Sequence, residues 1–350
     1  MKKQTELCQF RRFTQQGDEI SFVAMTTRYN LRQLFFAAHL CLSSVLLAEV
    51  AKIPVDGDLP VYEKQAGVAG NLNSIGSDTL NNQLTLWAEA FRAIYPAVNI
   101  QIEGKGSATA PPALIEGTAQ IGPMSRPMKK EEIEAFVARY GYPPTELRVA
   151  IDALAIYVHK DNPLPHISLE QIDGAFSATL RRGGKPVNTW GDLGLGGEWS
   201  RQPISLFGRN SASGTYGFFK DVALANGDFR STVKEQPGSS SVVQSVGADL
   251  YSLGYSGIAY MSPNVRAVPI LYEGIPVPPA YQECLNGNYP LARFLNIYAN
   301  IHPIRGPDPL TREFILFILS KEGQTIVRDL GYYPLPASVA AEERDKLKTK

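Results

Sequence analysis

The chain has 350 residues, enough for two ordinary domains or one large one and therefore for a sizeable buried core. It is 44% hydrophobic and 19% charged, with 30 glycines and 25 prolines, which fits a loop-rich α/β protein and excludes a disordered or fibrous chain. Its 34 basic and 34 acidic residues balance, which argues against a nucleic-acid partner because such domains carry a clustered basic excess.

Residues 1–48 are predicted to be a signal peptide or leader. An apolar run at 34–47 follows Arg28 and Arg32 and precedes the small residue Ala48. The run is too short for a membrane span, which needs about 20 residues, and a buried core helix is the alternative. The leader carries six basic and three acidic residues, so the rest of the chain has 28 and 31 and is slightly acidic.

From Leu72 onward, short apolar strands alternate with helical periodicity, which is the pattern of an α/β protein. The first predicted elements are a helix from Leu80 that stops at Pro96, a strand over 98–102, a short helix from Pro111 to Gly117, a helix over 133–140 capped by Gly141, and a central strand over 149–158. Later elements are a helix opened by a capping box at Ser168 and Gln171, a strand over 204–207, helices over 215–225 and 241–253, a strand over 257–261, and a last helix over 312–330.

Three corners that combine glycine with small hydroxyl residues precede predicted helices. They read Gly76-Ser77-Asp78-Thr79, Gly106-Ser107-Ala108-Thr109 and Ser211-Ala212-Ser213-Gly214-Thr215. The first backbone N–H groups of a helix lack internal partners, and the helix dipole adds partial positive charge there, so such corners suit an oxyanion. Plain N-capping explains any one corner alone. Three corners, together with Ser125-Arg126 and Arg209, favour a binding site, because arginine can grip two oxygens of one anion.

Signatures of catalysis or of a metal site are missing from the sequence. It has no Walker A loop and no nucleophile elbow, and His159, His166 and His302 do not have the spacing of metal ligands. Cys284 is the one cysteine after the leader and is predicted to be a buried small hydrophobe. The sequence therefore predicts no catalytic residues, no cofactor and no metal ion.

The corners and several other segments form one pattern along the chain. These segments are 75–80, 104–107, 121–128, 152–158 and 209–215, with later landmarks at 188–193, 254–260 and 289–293. The pattern resembles the periplasmic phosphate-binding proteins of phosphate ABC transporters. The resemblance covers about residues 70–335, and its most specific part is the Arg-x-x-x-Ser-Gly-Thr element that begins at Arg209.

The resemblance implies an α/β, two-lobed periplasmic-binding-protein fold, type II-like, with the ligand in the cleft between the lobes. It implies lobe one at 70–153 plus 264–340 and lobe two at 154–263. The phosphate ligands that it implies are Ser77, Asp78, Thr79, Ser107 and Ser125 from lobe one, and Arg209, Ser213, Gly214 and Thr215 from lobe two. Arg126 is either a second cationic ligand or a surface residue beside Pro127.

Two positions depart from the family pattern. Ser125 stands where many members have an aspartate that accepts the proton of hydrogen phosphate and so rejects sulfate. Asp78 is either a replacement for that acceptor or an N-cap. Ser211 stands where some members have an aspartate that pairs with the binding arginine, so Arg209 is expected to be free to give its full charge to the ligand.

The function implied by the resemblance is high-affinity binding of inorganic phosphate in the periplasm, for delivery to the membrane permease of an ABC transporter. The protein is then expected to be periplasmic, monomeric and not an enzyme, with no nucleic-acid partner. The alternatives are the same fold tuned to another oxyanion, a secreted phosphatase, and a surface protein for adhesion or phosphate sensing.

Overall fold

The computed structural model describes residues 53–348, so the predicted signal peptide lies outside the described residues. Within this range, twelve strands form a nine-stranded sheet and a three-stranded sheet. The strands are β1 (Gly70–Ile75), β2 (Val98–Glu103), β3 (Ile121–Met124), β4 (Thr145–His159), β5 (Ile167–Ser168), β6 (Ser205–Arg209), β7 (Lys234–Gln236), β8 (Ser252–Gly257), β9 (Val265–Val268), β10 (Ile270–Tyr272), β11 (Ile275–Val277) and β12 (Ala292–Ala299). The large sheet has the order β2-β1-β3-β12-β4-β8-β6-β7, and β9 also pairs with β4.

Strand β4 joins two halves of the large sheet. Its residues 145–153 pair antiparallel with β12, whereas its residues from 154 onward pair antiparallel with β8 and β9. We call β2, β1, β3, β12 and residues 145–153 the first half-sheet, and residues 154–159, β8, β9, β6 and β7 the second half-sheet. Residues 149–158 are all buried, as expected for a strand in the middle of a covered sheet. The predicted central strand is therefore confirmed.

Ten helices accompany these strands in the described part of the chain. They are α1 (Asn81–Ile94), α2 (Ala110–Glu116), α3 (Lys130–Tyr140), α4 (Leu169–Phe176), α5 (Gly214–Phe218), α6 (Ser239–Ala248), α7 (Tyr281–Leu285), α8 (Pro309–Ile318), α9 (Lys321–Leu330) and α10 (Ala337–Asp345). None of these described helices combines the length and the apolar character needed to cross a bilayer. The alternation of helices and strands confirms the predicted α/β class.

Local sequence signals account for the boundaries of several helices. Helix α1 buries Leu84, Trp87 and Phe91 on one face and ends before Pro96, as its periodicity predicts. Helix α3 ends at Gly141, which adopts a left-handed conformation with φ of 81°, a conformation that glycine reaches without strain. The predicted capping box at Ser168 also forms at the start of α4.

Two neighbouring predicted elements in the later part of the chain are partly wrong. The helix predicted over 241–253 is α6, which ends at Ala248, and residues 252–257 form the buried strand β8. The segment predicted as a strand over 257–261 is mostly a 3₁₀ turn at Ile258–Tyr260. Val246, Leu250 and Leu253 continue a helical spacing, but pairing with β4 places Leu253 in a strand.

The helix predicted over 312–330 is two helices, α8 and α9. The helical conformation is interrupted between them. Ser320 accepts a hydrogen bond from the Gly323 backbone N–H through its side chain and so caps α9. The helix predicted over 215–225 begins one residue earlier, at Gly214, and continues beyond α5 as a π-helical turn at Phe219–Ala223. The Phe219 ring in this turn stacks on the Tyr255 ring of β8 with ring centroids 3.8 Å apart, and this contact holds the helix on the second half-sheet.

The strand pairings extend the second half-sheet along the chain. β9 pairs with residues 156–159 of β4, and β10 pairs with β5 in the small sheet. The chain returns to the first half-sheet at β12, where Ala292 pairs with Ala153. The lobe division that places residues 264–340 in lobe one stays a prediction.

Candidate anion-binding site

The first two corners and the segment at Ser125 follow neighbouring strands of the first half-sheet. β1 lies between β2 and β3, and the three strands run parallel. Their carboxyl ends therefore meet at one edge of the sheet, where open α/β sheets commonly bind ligands. Backbone hydrogen bonds fasten the segments together: Ser77 N donates to Pro123 O at 2.8 Å, and Gly106 N donates to Gly76 O at 2.7 Å.

Three buried serine hydroxyls come together at this edge. Ser77 Oγ donates to Ser125 Oγ at 3.1 Å, and the Ser107 and Ser125 hydroxyls lie 3.3 Å apart. The Ser125 backbone N–H donates to Ser107 Oγ at 3.0 Å. We call Ser77, Ser107 and Ser125 the serine cluster. Because hydroxyls can rotate and both donate and accept, this cluster can turn its protons toward an anion without adding net charge.

The third corner reaches the serine cluster from the second half-sheet. Gly214 begins α5, and a methyl group added to Gly214 would overlap Ser107 Oγ and lie 2.7 Å from Ser125 Oγ. Thr215 Oγ1 lies 3.0 Å from Thr79 Oγ1 of the first corner. The structure thus brings all three corners into contact at one place, with only a glycine small enough for the closest approach.

N-capping accounts for one of these residues and not for the others. Ser213 Oγ accepts from the Thr215 N–H at 3.1 Å and caps α5. Ser77 makes no such capping hydrogen bond, and Ser107 Oγ accepts from Ser125 of another segment. Asp78 is the first residue of a 3₁₀ turn at Asp78–Leu80 rather than its N-cap. Apart from Ser213, these hydroxyls therefore contact one another across segments and do not cap their own helices.

Arg209 lies at the end of β6 and is almost fully buried, with 1% of its surface exposed. Its Nη1 donates to Ser239 Oγ at 2.6 Å, and its Nη2 donates to Pro237 O at 3.0 Å. Its Nε is buried without a hydrogen-bond partner. Burial lowers the pKa of Arg209, and the charge of Asp78 acts in the opposite direction. A buried N–H without a partner is costly, so this position calls for an acceptor.

The expectation that Arg209 lacks a carboxylate partner is wrong. Asp78 Oδ2 lies 3.2 Å from Arg209 Nη2 and also accepts from the backbone and hydroxyl of Ser239, at 2.9 and 3.1 Å. Asp78 thus takes the place of the aspartate that is absent at Ser211, although it lies on the first corner. The ion pair crosses between the first corner and β6, so it links the two parts of the site.

The guanidinium of Arg126 is paired within its own segment, which argues against a ligand role, and that role stays a prediction. Its Nη1 and Nη2 donate to the two carboxylate oxygens of Glu132 at 2.8 and 2.7 Å, and Nη1 also donates to Pro127 O at 2.9 Å. Glu132 occupies the third position of α3, where its carboxylate also accepts from the Lys129 N–H. Burial raises the pKa of Glu132, but the hydrogen bonds from Arg126 and Lys129 outweigh it and lower the pKa.

Residues outside the predicted set complete the site. Arg293 Nη1 donates to the Ser125 carbonyl at 2.8 Å, and its Nη2 donates to Thr215 Oγ1 at 2.9 Å. Tyr332, which follows the end of α9, donates its hydroxyl proton to the Thr79 carbonyl at 2.7 Å and so supports the first corner. Two sequence signals point to Arg293: it ends the landmark at 289–293, and its ion-pair partner Asp152 is a charged residue inside the apolar run at 149–158.

The chemistry of the site is that of a donor-rich, nearly neutral group of side chains suited to an anion. Buried hydroxyls, the start of α5 and the Nε of Arg209 all offer hydrogen-bond donors, and Asp78 balances the charge of the arginine. Among residues 53–348, no group of three or more His, Cys, Asp or Glu side chains is placed to hold a metal ion. Cys284 is free and buried, as predicted.

The fold and the site define a ligand-binding protein of the PBP superfamily, whose domain matches residues 62–322. The sequence narrows this class further. It is 55% identical over 296 residues to the phosphate-binding protein PstS of Pseudomonas aeruginosa, an alignment that covers 84% of this chain and 92% of that protein. The chain belongs to the periplasmic phosphate-binding protein family, as the resemblance of its corners indicates.

More distant relatives agree with this assignment. The phosphate-binding protein PstS of Bacillus subtilis is 26% identical over 269 residues, which is 76% of this chain and 81% of that protein. A Clostridium perfringens structure, described as a phosphate ABC transporter substrate-binding protein with bound phosphate, superposes with a TM-score of 0.64 at 27% identity, covering 76% of this chain and 100% of that one. An ABC-type phosphate transport receptor from Vibrio cholerae, at 22% identity and a TM-score of 0.60 over 75% of this chain and 100% of that one, shares the fold.

Proposed function

We propose that this protein binds inorganic phosphate with high affinity and delivers it to the membrane permease of an ABC transporter. The observation that carries the proposal is the buried Arg209, whose Nε lacks a partner and whose Nη2 lies 3.2 Å from Asp78 of the first corner. A tetrahedral oxyanion can accept from that N–H, from the serine cluster and from the start of α5 at once. Relatives described as phosphate-binding proteins support this choice of ligand.

The site is suited to binding rather than to catalysis. In the described part of the chain, the serine cluster hydrogen-bonds within itself, and no histidine or carboxylate hydrogen-bonds to its hydroxyls as a base would. A phosphatase needs an activated nucleophile or metal-bound water, so we do not favour the phosphatase alternative. We place the protein in the periplasm as a monomer, exported by the signal peptide at residues 1–48.

The two half-sheets support a division into two lobes that close on the ligand. We place the first lobe boundary between residues 153 and 154, where β4 changes partners from β12 to β8. The pairing of β9 with β4, and of β10 with β5, supports moving the second boundary from 263 to about residue 291. The contact of Gly214 with the serine cluster and the Asp78–Arg209 ion pair would then both form across the cleft.

The direct test is a binding titration of protein freed from endogenous ligand. The protein without its leader is unfolded in guanidinium chloride, dialysed to remove phosphate, refolded, and titrated with inorganic phosphate by isothermal titration calorimetry. We expect one phosphate per chain with a Kd of about 1 μM or tighter, equivalent to about 8 kcal/mol. Sulfate at the same concentrations is the matched control. Refolded protein that does not bind phosphate would contradict the proposed function, and tighter binding of sulfate would select the alternative of another oxyanion.

A further inference from the structure

A buried ion pair lies at the point where β4 passes from the first half-sheet to the second. Asp152 and Arg293 are direct partners in the register of β4 and β12, and both side chains are buried. Arg293 Nη2 and Nε donate to Asp152 Oδ2 at 2.7 and 3.0 Å. Asp152 Oδ1 accepts from the Ile258 N–H at 3.1 Å. A buried ion pair adds little net stability, because the cost of removing both charges from water offsets their attraction.

The guanidinium of Arg293 also touches both sides of the site. Nη1 donates to the carbonyl of Ser125 in the serine cluster, and Nη2 donates to the hydroxyl of Thr215 in the third corner. The Phe218 ring, in the same helix as Thr215, covers the guanidinium at 5.2 Å from its carbon. Asp152 fixes the orientation of the guanidinium, so the positions of these two further donors are fixed as well.

The hydrogen bond to Thr215 determines which way that hydroxyl can point. A hydroxyl has one proton, and an arginine can only donate, so Thr215 Oγ1 must accept from Arg293 and direct its own proton elsewhere. In this structure the neighbouring atom is Thr79 Oγ1 at 3.0 Å. An anion in the site would receive that proton instead. Accepting from a charged donor also polarises the hydroxyl and strengthens the bond that it donates.

We propose that Arg293 is a positioning residue of the anion site, which, held by Asp152, makes Thr215 a dedicated donor to the bound anion. Its bonds to Ser125 and Thr215 come from segments that follow different half-sheets, so both bonds form only when the two sides of the site are together. This inference rests on the proposed function, because it assigns a role in binding the same ligand.

The test is a double-mutant cycle on phosphate affinity, since a residue that acts through Thr215 loses its effect when the hydroxyl is gone. Replacing Arg293 alone would strand a buried carboxylate and could prevent folding, so the cycle removes both charges with Asp152→Asn/Arg293→Gln. The second arm is Thr215→Val, which keeps the shape and deletes the hydroxyl. We expect each arm to raise the Kd for inorganic phosphate about tenfold, and the combination to raise it about tenfold as well.

Controls separate this role from general damage to the fold. Arg148→Gln is the matched variant: Arg148 lies on β4, as Asp152 does, and pairs with the buried Glu343, but Arg293 and not Arg148 bonds to the serine cluster and Thr215. It should leave the Kd unchanged while lowering the thermal midpoint of the phosphate-free protein. Losses that multiply to about a hundredfold in the combined variant, or an unchanged Kd for Asp152→Asn/Arg293→Gln, would overturn the role of Arg293. Failure of the unchanged protein to bind phosphate would instead overturn the proposed function, and the role of Arg293 with it.

Discussion

The two sides of the site supply different chemistry. The side that follows β1, β2 and β3 supplies neutral hydroxyls and one carboxylate, Asp78. The side that follows β6 supplies a buried guanidinium, Arg209, and the start of α5. Each side alone is poorly suited to an anion: the first has the negative charge of Asp78 and an arginine, Arg126, that is paired with Glu132, and the second has a cation that is costly to bury.

Joining the two sides corrects both defects. Asp78 pairs with Arg209 through Nη2, and this leaves Nε of the guanidinium for a ligand. The site then has little net charge but many directed donors, which explains how a chain with balanced charges can hold an anion.

Loss of the cation should have the largest effect. Arg209→Ala removes the buried charge and leaves Asp78 to repel the anion, so we expect a loss of about 4 kcal/mol, or a Kd raised about a thousandfold. Calorimetric titration with phosphate measures it. Ser107→Ala removes one hydroxyl from the opposite side and should cost about tenfold. If Ser107→Ala costs more than Arg209→Ala, the division between a charged side and a neutral side is wrong.

Loss of the contact between the two sides should have the second largest effect on the phosphate Kd. Gly214→Ala adds a methyl group that overlaps Ser107 Oγ in this arrangement, but alanine is well tolerated in a helix. We expect this overpacking to cost about 3 kcal/mol of binding free energy, which raises the phosphate Kd about a hundredfold. The stability of the phosphate-free protein should not change.

The matched control for this effect lies in the same helix. Gly217→Ala meets only the flexible Arg126 side chain, whose Cδ would lie 3.1 Å from the new methyl group. Its Kd should stay within about twofold of the unchanged protein, because the helix start is not displaced. Equal losses for Gly214→Ala and Gly217→Ala would mean that the helix, and not its contact with the serine cluster, sets the affinity.

Removing the carboxylate tests whether Asp78 does more than pair with Arg209. Oδ2 is already taken by Arg209 and Ser239, and Oδ1 is the remaining acceptor of the carboxylate. If Oδ1 accepts the proton of hydrogen phosphate, Asp78→Asn should reduce the preference for phosphate over sulfate about tenfold, because an amide can donate to either anion. Competitive titration with both anions measures the ratio. A ratio that stays constant while both affinities change would limit Asp78 to its ion pair.

Local patterns in the sequence predict the elements well and the pairings between distant residues poorly. The periodicity of α1 and the glycine after α3 identify those helices, because spacing and capping act over a few residues. The three corners are also readable, since hydroxyls and glycine at helix starts have a local meaning. The segment at 249–257 is misread because its apolar residues fit a helix as well as a strand until β4 is present to pair with them.

The partners of the charged side chains are set by the tertiary fold. Arg293 and Asp152 are 141 residues apart, and Asp78 and Ser239 are 161 apart, so no local pattern joins them. Arg126 stands beside the corner residue Ser125, which favours a ligand role from sequence. The start of α3 instead places Glu132 within reach of its guanidinium. An ion pair with a residue six positions away can therefore hold a charge that its place in the sequence assigns to the site.

The smallest effect on binding is expected for Arg126→Gln, although this residue adjoins the serine cluster in sequence. Its guanidinium is committed to Glu132, so the phosphate Kd should change by less than about twofold, while the free energy of unfolding at pH 7 falls by about 1 kcal/mol. The pKa of Glu132 is lowered below 4.5 in the folded protein, so the pair stabilises above that value and is lost as the pH falls through the lowered pKa. Urea unfolding at pH 7 and at acidic pH should therefore show the two proteins converging in acid. A phosphate Kd raised tenfold by Arg126→Gln would instead restore this arginine to the ligand set and make both sides of the site cationic.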